Sequence, residues 1–67
     1  MSDEYAVIEA IEIAAQEWAK SQRGSRPESS HRVAMKHQRA IKRAGFAGTF
    51  TELWREVYEA GMDILTA

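Results

Sequence analysis

Apolar residues recur along the chain at intervals of three and four, which is the spacing of one face of a helix. No stretch shows the alternation of apolar and polar residues that a strand requires, and no segment repeats. Glycines interrupt the pattern between its segments, and the segments predict helices over about residues 3–23, 26–44 and 50–65. The chain is therefore predicted to be one all-α domain, residues 1–67, whose short connections favour helices packed as neighbours.

Polar residues that can cap a helix stand at the predicted starts of the second and third helices. Residues 25–28, Ser-Arg-Pro-Glu, fit a capping box, in which serine and glutamate satisfy each other's backbone N–H groups. A start near Ser29 or Ser30 is the competing interpretation. Thr49 and Glu52 form the same pattern before the third helix, so this start is the clearest of the three.

The remaining helix ends are predicted from a polar cap and from two glycines. The first helix is expected to begin at Ser2 or Asp3, whose side chains can accept from free backbone N–H groups. Gly24 and Gly45 follow the predicted ends of the first two helices. Glycine commonly ends a helix in the left-handed conformation because it has no Cβ. We therefore expect both glycines to be left-handed, with Phe46 packing back on the second helix.

The first and third helices have wider apolar faces than contact with one neighbour requires. In the first helix the face holds Val7, Ile8, Ile11, Ala14, Ala15, Trp18 and Ala19. In the third it holds Phe50, Leu53, Trp54, Val57, Tyr58, Gly61, Ile64 and Leu65. A stripe of about 100° suffices for one core, so each helix is expected to touch two neighbours. A three-helix monomer supplies both, but because so short a chain buries little surface, we expect a homodimer.

Four residues are candidate anchors for a partner: Trp18, Trp54, Tyr58 and Ile13. The tryptophans lie on apolar faces and are ordinarily core residues, although tryptophan is also enriched at binding hot spots. Ile13 lies off the apolar face, either as a lone exposed isoleucine or as an edge contact in an assembly. Gly61, inside the third apolar face, indicates either a close helix crossing or a helix end.

Charge is strongly segregated behind a formal net charge of −1. Residues 1–19 carry −5, residues 20–49 carry +7 and residues 50–67 carry −3. Most of the cations fall in the second helix, at spacings that place them on one narrow stripe. They are Arg32, Lys36, Arg39 and Arg43, with Lys42 beside them. Neighbouring like charges repel, so the row is either neutralised from outside the helix or solvated.

Three interpretations of this basic stripe remain open. It is a solvated face or pairs with the acidic helices, within or between subunits. It contacts phosphates of a nucleic acid or nucleotide through counterion release. It docks on an acidic protein surface. A helix-turn-helix is disfavoured, because the third helix would have to read the major groove with four acids and one arginine.

The sequence predicts no catalytic residue, metal or cofactor. Without cysteine there is no disulfide or thiolate metal site, and His31 and His37 are six residues apart, on different helix faces. His37, on the apolar face, is expected to be packed with one hydrogen-bond partner. No glycine-rich phosphate loop or nucleophile motif is present.

The composition predicts a cytoplasmic protein that does not enter membranes. The acidic start does not resemble a signal peptide, and no apolar run approaches the ~20 residues that span a bilayer. We therefore expect a small, non-enzymatic, homo-oligomeric modulator, an inhibitor or adaptor of a larger protein. It would act through its wide apolar faces and its basic central helix. Nucleic-acid or nucleotide binding through the basic stripe is the alternative.

Overall fold

The computed structural model describes residues 4–67, which form three α-helices and, within that range, no strand. They are α1 (Glu4–Gln22), α2 (Ser30–Arg43) and α3 (Phe50–Thr66). The all-α prediction is confirmed, and the predicted bounds of α1 and α3 agree to within one residue. The proposed caps Ser2 and Asp3 lie outside the described residues.

The second helix begins four residues later than the preferred prediction, at the start given by the competing interpretation. Ser29 is its cap, and the hydroxyl accepts a hydrogen bond from the Arg32 backbone N–H at 3.1 Å. The predicted box fails because Glu28 is engaged elsewhere. Its backbone N–H donates to Ser21 Oγ at 3.2 Å, and its carbonyl accepts from Gln22 Nε2 at 2.7 Å. The connection therefore has seven residues and folds against the end of α1.

Only one of the two expected left-handed glycines is found among the described residues. Gly45 has φ 122°, and the Phe46 N–H beyond it donates to the Ile41 carbonyl at 3.3 Å. Phe46 packs against the core, as expected. The prediction for Gly24 is wrong, because α1 ends in a tightened turn in which the Gly24 N–H donates to the Ser21 carbonyl at 3.1 Å. Such a turn leaves no need for a positive φ.

The start of α3 has the predicted capping box. The Glu52 N–H donates to Thr49 Oγ1 at 3.2 Å, and the Thr49 N–H donates to Glu52 Oε1 at 3.1 Å. The Glu52 carboxylate accepts from this Thr49 N–H and, at 3.0 Å, from the Thr49 hydroxyl, and both bonds lower the pKa of the Glu52 carboxyl because they favour its charged form. The box therefore depends on an ionised Glu52.

Each helix packs against both of the others. α2 runs antiparallel to α1, since its start is bonded to the end of α1 and its middle faces Glu17. α3 begins against the first turn of α2, where the Phe50 ring meets the His31 ring edge-on at 4.9 Å. The segment 44–49 thus carries the chain back along α2. The wide apolar faces accordingly find two neighbours each within a single chain.

The core draws on all three helices. Its buried apolar residues are Ile11, Ala14, Ala15, Trp18, Ala19, Val33, Ala34, Ile41, Leu53 and Val57. Two residues of the predicted apolar faces are exposed instead: Ile8 at 57% and Tyr58 at 44%. Ile8 borders an open groove beside Phe46 and Ala47, where the adjacent segment of the same chain is a loop and not a helix.

Gly61 marks a close crossing of α1 and α3, as one of its two interpretations held. It is buried, and α3 continues past it to Thr66, so it is not a helix end. A Cβ at this position would lie 2.7 Å from Trp18 Cζ3 and 3.4 Å from the Ala15 carbonyl oxygen. The indole of Trp18 therefore lies directly on the backbone of α3.

Replacing Gly61 by alanine is expected to destabilise the protein, although alanine is the better helix former. The added methyl overlaps the packed indole of Trp18, and overpacking costs about 1–3 kcal/mol. Helix propensity returns about 1 kcal/mol. Urea denaturation should therefore show a net loss of up to about 2 kcal/mol.

Gly24→Ala is the matched control, because its added Cβ meets no side chain and no nearer atom than the Ser21 carbonyl oxygen at 3.5 Å. Its free energy of unfolding should stay the same or rise by up to about 1 kcal/mol. If Gly61→Ala were as stable as this control, the close crossing would be wrong.

Candidate functional site

The outer face of α2 gathers the five predicted cations. The opposite side is buried through Ser30, Val33, Ala34 and Ile41. All the outward residues are exposed, and α2 contains no aspartate or glutamate. We call this surface the basic face; it consists of Arg32, Met35, Lys36, Arg39, Lys42 and Arg43. Because a helix rises 1.5 Å per residue, the face is about 20 Å long.

A carboxylate of α1 neutralises the middle of the basic face. Lys36 Nζ donates to Glu17 Oε2 at 2.9 Å, and His37 Nε2 lies 2.9 Å from Glu17 Oε1. The hydrogen bond from Lys36, and then that from His37, hold the pKa of Glu17 below its usual value of 4.5. The same bond to Glu17 raises the pKa of Lys36. The half-buried His37 has the hydrogen-bond partner that was expected for it.

A second acid approaches the start of the basic face. Glu28 Oε1 lies 3.9 Å from Arg32 Nε, and the arginine side chain is 78% exposed. An ion pair as exposed as this one contributes little to stability, because water screens the two charges and both side chains remain mobile. It nevertheless lowers the local excess of positive charge.

The last turn and a half of the basic face has no such partner. Within residues 4–67, no carboxylate lies in ion-pair distance of Arg39, Lys42 or Arg43. Lys42 and Arg43 complement the negative end of the helix dipole, which offsets part of their mutual repulsion. Of the five cations, these three are free to contact an anionic partner without breaking an existing pair.

The four candidate anchors are not brought together. Trp18 is only 5% exposed and belongs to the core, whereas Ile13 is 52% exposed on α1, away from the others. Tyr58 is 44% exposed, with its ring centroid 5.3 Å from that of Trp18. Trp54 is half-buried one turn earlier on α3. Only Trp54 and Tyr58 therefore share an accessible surface.

Two residues of this region were missed by the reading of the sequence. Glu17 stands at the border of the α1 apolar face, next to the buried Trp18, and border acids are well placed to reach a neighbouring helix. For His31 the sequence indicated no neighbouring residue. Its ring lies 4.9 Å from that of Phe50 and 6.4 Å from that of Trp54, on the side of α2 that faces α3.

The described part of the chain was found to have neither a cluster of metal ligands nor a membrane-spanning helix. Residues 4–67 contain no group of three or more metal-ligating side chains. None of the three helices is long and apolar enough to cross a membrane.

The described chain is thus a three-helix protein with one helix charged along its outer side. Comparison with known protein families, characterised proteins and solved structures found no match.

Glu17→Gln should lower the free energy of unfolding by about 0.5–1 kcal/mol at neutral pH, the range of partly exposed ion pairs. Since folding lowers the pKa of Glu17, its contribution is complete above 4.5 and is lost as the pH falls through the folded-state pKa. Wild type and variant should therefore converge in acid, as followed by urea denaturation across the acid range.

Glu9→Gln provides the control, since it makes the same change at an exposed site on the same helix. It should match wild type at every pH, and the acid loss of the Glu52 capping box is common to all three proteins. A Glu17→Gln deficit that persisted unchanged in acid would contradict an electrostatic role.

Proposed function

We propose that this chain is a non-enzymatic binding protein of the cytoplasm that docks on an acidic surface of a larger protein, as its inhibitor or adaptor. The observation that carries the proposal is the unneutralised end of the basic face, Arg39, Lys42 and Arg43. These cations project from a helix whose opposite side is fixed in the buried core. Binding of a partner therefore costs little conformational entropy, because the backbone of α2 is already ordered. Charge complementarity of this kind chiefly speeds association and selects the partner.

Two features favour a protein over a nucleic acid. Met35 is 51% exposed in the midst of the basic face, and methionine is common on protein-binding surfaces because it adapts to many shapes. α1 and α3 each carry four acids against a single cation. A long polyanion extends beyond the basic face and approaches these acids, whereas an acidic patch on a protein can be confined to α2.

Nucleic-acid or nucleotide binding is the second candidate, and the same three free cations favour it. If each of them contacts one phosphate of a duplex, the logarithm of the binding constant falls with the logarithm of salt concentration at a slope of about −3. For a single strand the slope is about −2.

We also propose that the chain acts as a homo-oligomer. Its wide apolar faces are largely satisfied within one chain, so support for the proposal comes from the apolar surface that remains accessible on α3.

The proposal is tested with three labelled probes: a peptide of alternating glutamate and leucine, a DNA duplex and a single-stranded RNA. Anisotropy is followed at about 50 and 200 mM salt. We expect the peptide to bind, more weakly at the higher salt. The double variant Arg39→Glu/Arg43→Glu should lose about tenfold or more in affinity for it, or about 1.4 kcal/mol.

The matched control is Arg23→Glu/Arg26→Glu, which changes the net charge equally at two exposed arginines of the connection between α1 and α2. It should bind the peptide as wild type does, and circular dichroism should show that both double variants keep their helices. Equal losses of peptide affinity in the two double variants, or no binding of the peptide at the lower salt, would contradict the proposal. Tighter binding of DNA or RNA with the slopes above would replace it by the second candidate.

A further inference from the structure

A row of apolar side chains on one flank of α3 stays accessible after the core is formed. Trp54, Tyr58, Met62 and Leu65 share this flank, because their spacings of four, four and three return to the same side of a helix. We call it the α3 stripe. Tyr58 is 44% exposed, and the other three are half-buried against the core along their inner edge. The stripe lies on a different helix from the basic face.

Two opposite charges border the α3 stripe beside Tyr58. Arg55 and Glu59 are both exposed, and among the described residues neither has an ion-pair partner within 4.0 Å. They stand one turn apart, but arginine before glutamate is the less favourable order for a pair within one helix. Both charges are therefore open to a partner outside the chain.

The total surface of the chain is also larger than its mass requires. Its accessible area is 4963 Å², whereas a compact monomer of 7.6 kDa exposes about 4,300 Å². The difference is close to the ~800 Å² that each partner buries in an interface of standard size. The surplus surface is therefore of the same order as one such interface, although somewhat smaller.

We infer that the α3 stripe is the interface between two copies of this chain, paired antiparallel about a two-fold axis at Tyr58. This arrangement sets Tyr58 against its own counterpart and Trp54 against Met62 of the second copy. With a rise of 1.5 Å per residue, Arg55 comes within about 3 Å, along the axis, of Glu59 of the second copy. Along one edge of the interface the order is then Arg55, Glu59 of the second copy, Glu59 and Arg55 of the second copy, so two Arg–Glu contacts outnumber the one contact between glutamates.

This inference rests on the proposed homo-oligomer and names its contact surface. Because the α3 stripe and the basic face are on different helices, the dimer presents two basic faces. A ligand long enough to reach both gains avidity without any new contact.

The test uses two variants that should each repel themselves. Arg55→Glu leaves acids at both edge positions, and Glu59→Arg leaves cations at both. Sedimentation equilibrium should give about 15 kDa for wild type, twice the 7.6 kDa of the chain, and 7.6 kDa for each variant alone. An equimolar mixture of the two variants should return to the dimer mass, because every edge contact between the two variants is between opposite charges.

The matched controls are Arg23→Glu and Glu9→Arg, which make the same charge changes on exposed sites outside the stripe. Each should remain dimeric by itself. Tyr58→Glu should give 7.6 kDa with its helices intact by circular dichroism. A monomeric wild type, dimeric edge variants, or a mixture that stays monomeric would each overturn this inference.

The glutamate–leucine peptide separates this inference from the proposed function. Since Tyr58 lies outside the basic face, Tyr58→Glu should still bind the peptide at each subunit. Peptide binding by a monomeric wild type would leave the proposed function standing and refute the dimer alone. A wild-type dimer that does not bind the peptide would leave the dimer standing and refute the proposed function.

Discussion

The contact between Trp18 and Gly61 is the constraint on which the arrangement of the helices depends. A residue without a side chain lets the indole lie on the α3 backbone, and the small neighbours Ala15 and Ala19 keep α1 close. An aromatic side chain buries roughly 150–250 Å², a large share of the core of so short a chain. The ring of Tyr58 covers the outer side of the indole and joins this core contact to the surface of α3.

The register of α2 follows from its bonds to α1 at two levels. At the end of α1, Ser21 and Gln22 form hydrogen bonds with the backbone of Glu28. About one and a half turns earlier, Glu17 forms hydrogen bonds with the side chains of Lys36 and His37. Since Glu17 lies midway along α2, its charge compensates the middle of the basic face and leaves the C-terminal end without compensation. Packing thus divides a row of cations that is uniform in sequence into a paired part and a free part.

The features predicted correctly from sequence are those that depend on residues close together in the chain. The capping box of Thr49 and Glu52, the left-handed Gly45 and the apolar faces are all of this kind. The box over residues 25–28 failed because bonds from α1 take both backbone groups of Glu28. Glu17 was missed for the same reason: its partners are on another helix, and a local pattern carries no information about them. The sequence did predict the basic face, but not which of its cations are paired.

Symmetry restricts which surfaces of such a protein can pair with their own copy. A two-fold interface sets each patch against itself, so a face of one charge sign repels its counterpart. This argument excludes the basic face of α2, and also the outer side of α1, where Glu9 and Glu12 dominate. The flank of α3 is different, because Arg55 and Glu59 are opposite in sign and offset along the axis, so that a two-fold rotation makes two Arg–Glu contacts for each contact between like charges. Of these three outer surfaces, the flank of α3 is therefore the one whose charges are compatible with the proposed two-fold pairing.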